Sequence, residues 1–218
     1  MNSLLRACLV TAFAVSAVHA NNFSFTGSFI TDDEVQLFSF TLADTATVTF
    51  QTYGYGGGFN AAGTAIPTDG FESVLTWFGS DGSYLGDSLF NGCGSGNTYD
   101  SACLDAYAQA SLGPGTYTLA LTQSGNNANS EAGFPGDLSY GFSEQGLGDY
   151  TPSTTDDPDC SAFCGTLGTQ ENGNWAVDIL NATSAVAVSA TPEPATFLPA
   201  GFGLFLAALA MRRRLHKK

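Results

Sequence analysis

The chain has 218 residues, of which 44% are hydrophobic and 12% charged, with six Lys and Arg against twenty Asp and Glu. Every Lys, Arg and His lies before residue 20 or after residue 211, and twenty acids less Glu193 leave nineteen carboxylates in 21–190. A stretch of formal charge −19 excludes nucleic acid binding, because Lys and Arg supply most of the affinity for phosphate. It also lacks the His or Lys that a Ser or Cys nucleophile needs as a base.

Residues 1–20 have the pattern of a secretory signal peptide. Arg6 supplies the positively charged N-terminal region, and Ala7–Val18 is a short apolar run. Small residues precede a predicted cleavage site before Asn21. The apolar run is shorter than the roughly 20 residues that span a bilayer. We therefore expect the protein to be exported, and its mature part to begin at Asn21.

The central stretch is typical of an all-β domain, because apolar and polar residues alternate with period two in several segments. The predicted strands are Phe23–Thr26, Val35–Leu42, Thr47–Gln51, Ser73–Phe78, Tyr84–Leu85, Thr116–Leu121 and Trp175–Ile179. Ser73–Phe78 is a more continuous apolar run than the others, which favours a strand covered on both faces. We expect one β-sandwich over residues 21–181, with about eight strands in a jelly-roll-like order.

The connections between these strands are rich in Gly and polar residues. Ser80–Ser83 and Leu112–Gly115 are predicted turns, and residues 53–70, 91–105 and 125–174 are predicted loops. A loop of fifty residues is unusual in a compact domain. We therefore expect 125–174 either to contain short strands near Leu138–Tyr140 or to form a surface excursion pinned by Cys160–Cys164. Residues 182–191 are small and are predicted to form a linker.

Four cysteines remain after removal of the signal peptide, an even number in a protein bound for an oxidising compartment. We expect two disulfides, and favour the local pairs Cys93–Cys103 and Cys160–Cys164 among the three possible connectivities. A zinc site is the alternative, although the spacings fit zinc fingers poorly.

Without bases, the carboxylates must be solvated, hydrogen-bonded or neutralised by a cation. Calcium prefers oxygen ligands, and the candidate ligands are Asp32, Asp33, Asp81 and Asp87. Asp81 has an alternative role as a turn residue, whose carboxylate would accept from the backbone two residues on. The alternative for Asp32–Glu34 is a solvated turn before a strand. Calcium is the one cofactor that the composition favours.

The C-terminus has three parts in a fixed order. Pro192, Glu193 and Pro194 precede an apolar segment, 197–211, and the basic tail 212–218 follows, with Arg212, Arg213 and Arg214 at its start. An apolar segment followed by a basic cluster is a stop-transfer signal by the positive-inside rule. The segment is short for a permanent anchor across roughly 30 Å of hydrocarbon.

This tail resembles the PEP-CTERM sorting signal of Gram-negative bacteria, on the Pro192–Pro194 triplet, the short hydrophobic helix and the terminal Arg cluster of residues 192–218. The resemblance implies that an exosortase-type enzyme in the inner membrane processes the tail. It also implies a transient membrane anchor, and then a location on the surface or outside the cell, among extracellular polysaccharide and biofilm.

The central domain resembles the bacterial pre-peptidase C-terminal domain in three segments: Asp33–Phe40, Ser73–Gly82 and Leu112–Leu119. The resemblance implies a β-sandwich, often stabilised by calcium, that accompanies secreted enzymes and surface proteins. The acidic cluster of that family is reduced here to Gly86–Ser88.

We expect a non-enzymatic exported surface or matrix protein that associates with polysaccharide. The alternatives are a glycan-processing enzyme that uses a carboxylate pair, and a structural module without a ligand. Tyr53, Tyr55 and Phe59 could stack on sugar rings, although folding back onto the sandwich is the favoured interpretation.

Overall fold

The computed structural model describes residues 21–88, 104–131, 134–154, 160–165 and 170–188. The strands in this part of the chain are, in order, β1 (Asn21–Ser28), β2 (Gln36–Leu42), β3 (Ala46–Thr52), β4 (Gly58–Phe59), β5 (Ala65–Ile66), β6 (Ser73–Phe78), β7 (Tyr84–Ser88), β8 (Tyr107–Leu112), β9 (Gly115–Gln123), β10 (Ser130–Glu131), β11 (Phe134–Pro135), β12 (Asn174–Ala182) and β13 (Ser184–Val188). A 3-10 helix spans Leu138–Tyr140, and one α-helical turn spans Thr151–Thr154.

Two antiparallel sheets form the sandwich in the described residues. One has the order β1-β12-β3-β8 and the other β13-β2-β9-β6-β7. The chain changes sheet after β1, β2, β3, β7, β8, β9 and β12, so sequence neighbours mostly face each other across the core. The all-β sandwich is therefore confirmed, and the jelly-roll-like order stays a prediction.

Alternating apolar residues of both sheets fill the space between them. Phe38 and Phe40 of β2 are fully buried, as are Phe50 of β3 and Ile179 of β12. Aromatic rings meet across the sheets, for example Phe40 and Phe50 with centroids 5.4 Å apart. This burial is the main source of stability, because period-two patterning places one apolar face of each sheet inward.

The five-stranded sheet is covered on its outer face as well. Phe78 and Ala120 are fully buried there, and Phe142 from the long loop packs on them. Every residue of β6 is buried. The prediction of a strand covered on both faces is thus confirmed, and the covering layer is the excursion after β9.

The structure corrects three expectations about connections. Leu138–Tyr140 is a 3-10 helix rather than a strand, because Asp137 accepts a hydrogen bond from the Ser139 amide and caps the turn. β8 lies in a stretch to which no strand was assigned. β13 lies within the segment 182–191 predicted to be a linker, but pairs with β2 over five residues, so the sandwich extends to Val188.

No helix in the described part of the chain is long and apolar enough to cross a membrane. The predicted signal peptide 1–20 and the sorting tail 192–218, including the predicted helix 197–211, lie outside the described residues.

Candidate functional site

The loop between β3 and β6 lies against the outer face of the four-stranded sheet, where Asp178 anchors it. Asp178 on β12 is fully buried and accepts three hydrogen bonds. The donors are the Ser24 hydroxyl at 2.6 Å, the Tyr53 hydroxyl at 2.9 Å and the Ala61 amide at 2.7 Å. Burial and then the nearby Asp178 carboxylate raise the pKa of Tyr53, so its hydroxyl remains a donor.

A second buried carboxylate holds the start of the same loop. Asp105, which precedes β8, accepts from the Thr52 hydroxyl at 2.8 Å and from the amides of Tyr55 at 3.2 Å and Gly56 at 2.8 Å. Charge-assisted bonds, which are stronger than neutral ones, therefore hold the loop at its start and again at Ala61.

Between this loop and β1 lies a cleft of about 440 Å³. Its volume falls within the range of roughly 300–1,000 Å³ that is usual for small-molecule sites. The residues that line it come from β1, from the two limbs of the loop and from the start of β12: Thr26, Gly27, Ser28, Gly54, Ile66, Pro67, Asn174 and Trp175.

One wall of the cleft is polar but uncharged. Thr26, Ser28 and Asn174 are exposed, and Ser28 lies directly opposite Asn174 in the β1–β12 register. Among the described residues, the Thr26 hydroxyl and the Asn174 carboxamide make no hydrogen bond, whereas Ser28 donates to the Phe29 carbonyl at 3.3 Å. Donors and acceptors are therefore available to a ligand at this wall.

The opposite wall is formed by Ile66 and Pro67, and the Trp175 indole lies beneath Gly27. A Cβ at Gly27 would lie 2.2 Å from Cζ2 of Trp175, so only glycine allows the indole to cover β1 at this point. Trp175 also packs edge-on against Phe38 with ring centroids 5.8 Å apart. The floor of the cleft is thus fixed to the core.

Asp32, in the turn between β1 and β2, is a third buried carboxylate, whereas the sequence favoured a solvated turn here. It is fully buried and accepts from the amides of Tyr150 at 2.8 Å, Thr151 at 3.1 Å and Phe163 at 3.2 Å, and from the Thr151 hydroxyl. The Thr151 hydroxyl also accepts from the Cys164 amide at 2.9 Å. Asp32 therefore ties distant segments together.

The other candidate calcium ligands do not gather with Asp32 into one site. Asp33 accepts from the amides of Gly146 and Gly148. Asp81 accepts from the Ser83 amide two residues on, as the turn interpretation predicts, and Asp87 is exposed on β7. The described residues contain no group of three or more His, Cys, Asp or Glu placed to hold a metal. Calcium binding stays a prediction.

The structure forms a disulfide between Cys160 and Cys164, as expected from the local pairing. The other predicted pair, Cys93 and Cys103, lies outside the described residues. The bridge closes a short loop beside Phe163, whose amide donates to Asp32. The Cys160–Cys164 bridge and the Asp32 carboxylate therefore hold the same segment, residues 160–164.

The aromatic residues proposed to stack on sugars have different environments. Tyr53 is buried and bonded to Asp178, Tyr55 is half-buried, and Phe59 is 70% exposed. Sequence reasoning missed the cleft, because its residues come from three separate segments. The one available signal was the alternation of small polar residues in β1.

The cleft can bind a ligand but offers no general acid or base, because none of its lining residues titrates near neutral pH. Compared with known proteins, the chain matches no family model and no curated protein sequence. Both family resemblances noted above therefore stay predictions.

Proposed function

We propose that this protein is a non-enzymatic, exported surface or matrix protein, sorted through its C-terminal tail and associated with extracellular polysaccharide. The observation that carries the proposal is the charge distribution: all Lys, Arg and His lie in the two terminal segments, and the domain between them has none. Such a domain has no nitrogen base for nucleophilic catalysis. Its strong negative charge favours solubility after export.

The use of the buried carboxylates supports a role outside catalysis. Asp32, Asp105 and Asp178 each accept three or more hydrogen bonds that join a loop to the sandwich. A catalytic carboxylate must reach a substrate, whereas these three are buried. We infer that they replace the salt bridges that this domain cannot form.

The proposed route begins in the inner membrane of a Gram-negative bacterium. The segment 197–211 would hold the precursor there, and an exosortase-type enzyme would act near Pro192–Pro194. Val188 ends β13, so nine residue steps separate it from Phe197. At roughly 3.3–3.6 Å per step, the sandwich would lie within about 30 Å of the membrane. The processing enzyme would thus meet a short tether next to a folded domain.

Mass spectrometry of the secreted protein tests the sorting proposal. We expect an N-terminus at Asn21, a C-terminus between Thr191 and Ala195, and two intact disulfides. The variant Glu193→Ala should remain in the membrane fraction, whereas the control Glu131→Ala should be released normally. A secreted wild-type chain that still carries residues 212–218 would refute processing of the tail.

A reducing-sugar assay on native exopolysaccharide tests the absence of catalysis. We expect no release of reducing ends above that of a heat-inactivated sample. Turnover that disappears when a carboxylate is changed to its amide would support the carboxylate-pair alternative instead.

A further inference from the structure

We propose that the cleft between β1 and the loop after β3 binds a neutral sugar residue. The apolar C–H face of the ring would lie against Ile66 and Pro67, and its hydroxyls would meet Thr26, Ser28 and Asn174. The inference deepens the proposed function, because it rests on association with polysaccharide and assigns that association to one site.

The charge of the domain selects an uncharged ligand. No acidic or basic side chain lines the cleft. An anionic ligand would have no cation to pair with, and would approach a domain with nineteen carboxylates and no base. A cationic ligand would find no carboxylate in the lining. A neutral ligand avoids both costs.

The arrangement of polar groups selects a hydroxylated ligand over a purely apolar one. Hydroxyls and carboxamides both donate and accept hydrogen bonds, as sugar hydroxyls do. Thr26 and Asn174 make no side-chain hydrogen bond within the described residues, so they bond water until a ligand arrives. An acyl chain would displace that water without replacing its hydrogen bonds, and would lose affinity.

The two walls suit a ring with one apolar and one polar side. Successive outward residues of β1 carry hydroxyls at Thr26 and Ser28, and Asn174 continues the row across the register. Ile66 and Pro67 lie on the loop side of the cleft. Because β1 is an edge strand of its sheet, a ring that belongs to a longer chain can leave the cleft past the edge.

The cleft is preformed, which lowers the ordering cost of binding. Hydrogen bonds to Asp105 and Asp178 fix the loop. The Gly70 amide also donates to the Gly54 carbonyl at 2.9 Å, which closes the base of the loop. A ligand therefore meets walls that are already in place.

Saturation-transfer NMR and calorimetry with the oxidised full-length chain test the proposal. The probes are three neutral disaccharides, cellobiose, maltose and N,N′-diacetylchitobiose, with glucuronic acid as a charged probe and 1-hexanol as an uncharged, mainly apolar one. We expect at least one disaccharide to bind in the millimolar range, and glucuronic acid and 1-hexanol to bind at least tenfold more weakly.

Variants locate the binding. Thr26→Val with Asn174→Leu removes the polar groups at nearly constant volume and should weaken disaccharide binding about tenfold or more. Ser28→Trp fills the cleft by a change at an exposed position and should abolish it. Thr116→Val, an exposed threonine on β9, is the matched control and should bind as wild type does. Circular dichroism and melting temperature verify that each variant is folded.

Three results would overturn the inference: no disaccharide binds, 1-hexanol binds more tightly than the sugars, or the folded cleft variants bind as the Thr116→Val control does. The assay requires no processing of the tail. Failure of sugar binding therefore leaves the sorting proposal intact, and a failure of sorting leaves the cleft assignment intact.

Discussion

Replacement of Asp32 by Asn should destabilise the protein strongly, although the side chain keeps its shape. Oδ1 accepts from the Tyr150 amide, and Oδ2 accepts from the amides of Thr151 and Phe163 and from the Thr151 hydroxyl. The carboxamide has one oxygen, so at least one amide must face an NH₂ group. A hydrogen bond to a charged group contributes about 1.5–3 kcal/mol, and a buried unsatisfied donor costs about 1–3 kcal/mol.

We therefore expect Asp32→Asn to lower the free energy of unfolding by about 3 kcal/mol. For a domain of this size, a loss of that magnitude corresponds to a fall in Tm of about 6–12 °C. Thermal unfolding followed by circular dichroism measures it. The matched control is Asp44→Asn, because Asp44 is exposed in the turn between β2 and β3. The control should change stability by less than about 0.5 kcal/mol.

Hydrogen exchange distinguishes this mechanism from a general loss of stability. The amides of Tyr150, Thr151 and Phe163 should lose protection in Asp32→Asn even at temperatures where the sandwich core stays protected. If Asp32→Asn and Asp44→Asn shift the Tm equally, or if these three amides exchange as they do in the wild type, the assigned role of Asp32 is wrong.

Three further changes test the other contacts that hold the loops to the sandwich. Burial raises the pKa of Asp33, but hydrogen bonds from Thr31 and the amides of Gly148 and Gly146 outweigh it and hold the pKa below its ordinary value. Asp33 therefore stabilises the fold above the unfolded pKa of about 3.9, and loses that effect as pH falls through the lower folded value. The stability difference between wild type and Asp33→Asn should thus be constant above about pH 5 and shrink in acid, whereas a difference that grows in acid would contradict the sign. Replacement of Cys160 and Cys164 by Ser should cost about 2 kcal/mol in denaturant unfolding, because the closed loop is short; an unchanged midpoint would show that the bridge contributes nothing. Tyr53→Phe removes one donor to a buried carboxylate and should cost about 1.5–3 kcal/mol in the same assay, whereas the control Tyr107→Phe should cost under about 0.5 kcal/mol. Equal losses in the two variants would remove the argument for the Tyr53 hydrogen bond.

Most of the sandwich strands were predictable, because their signal is local. Phe38 and Phe40 alternate with polar residues, and the same period appears around Val177 and Ile179. The strands β8 and β13 were missed since both are rich in Ala and Ser, and their small side chains give a weak period-two signal. Pairing with β3 and β2 decides their conformation, as tertiary context often does in sheets.

The candidate site was not predictable to the same degree. Asp32 looks like a solvated turn residue in the sequence, but its partners lie 118 to 131 residues away along the chain. The cleft forms where β1, β12 and the loop before β6 pack together, and no local sequence pattern indicates that these segments are neighbours. The calcium candidates therefore fall in two separate regions: Asp32 and Asp33 in the turn after β1, and Asp81 and Asp87 in the β6–β7 hairpin.

By itself, the sequence determined the fold class, the confinement of cationic charge to the two ends, and the expectation of an exported domain without a nitrogen base. These properties follow from composition and from the alternation of apolar and polar residues. Both can be recognised within short segments, without knowing which other segments they contact. Only the tertiary structure decided which carboxylates are buried, which loops they hold and where a cleft remains open. Those features depend on contacts between residues far apart in the chain, and such contacts exist only once the sheets have packed.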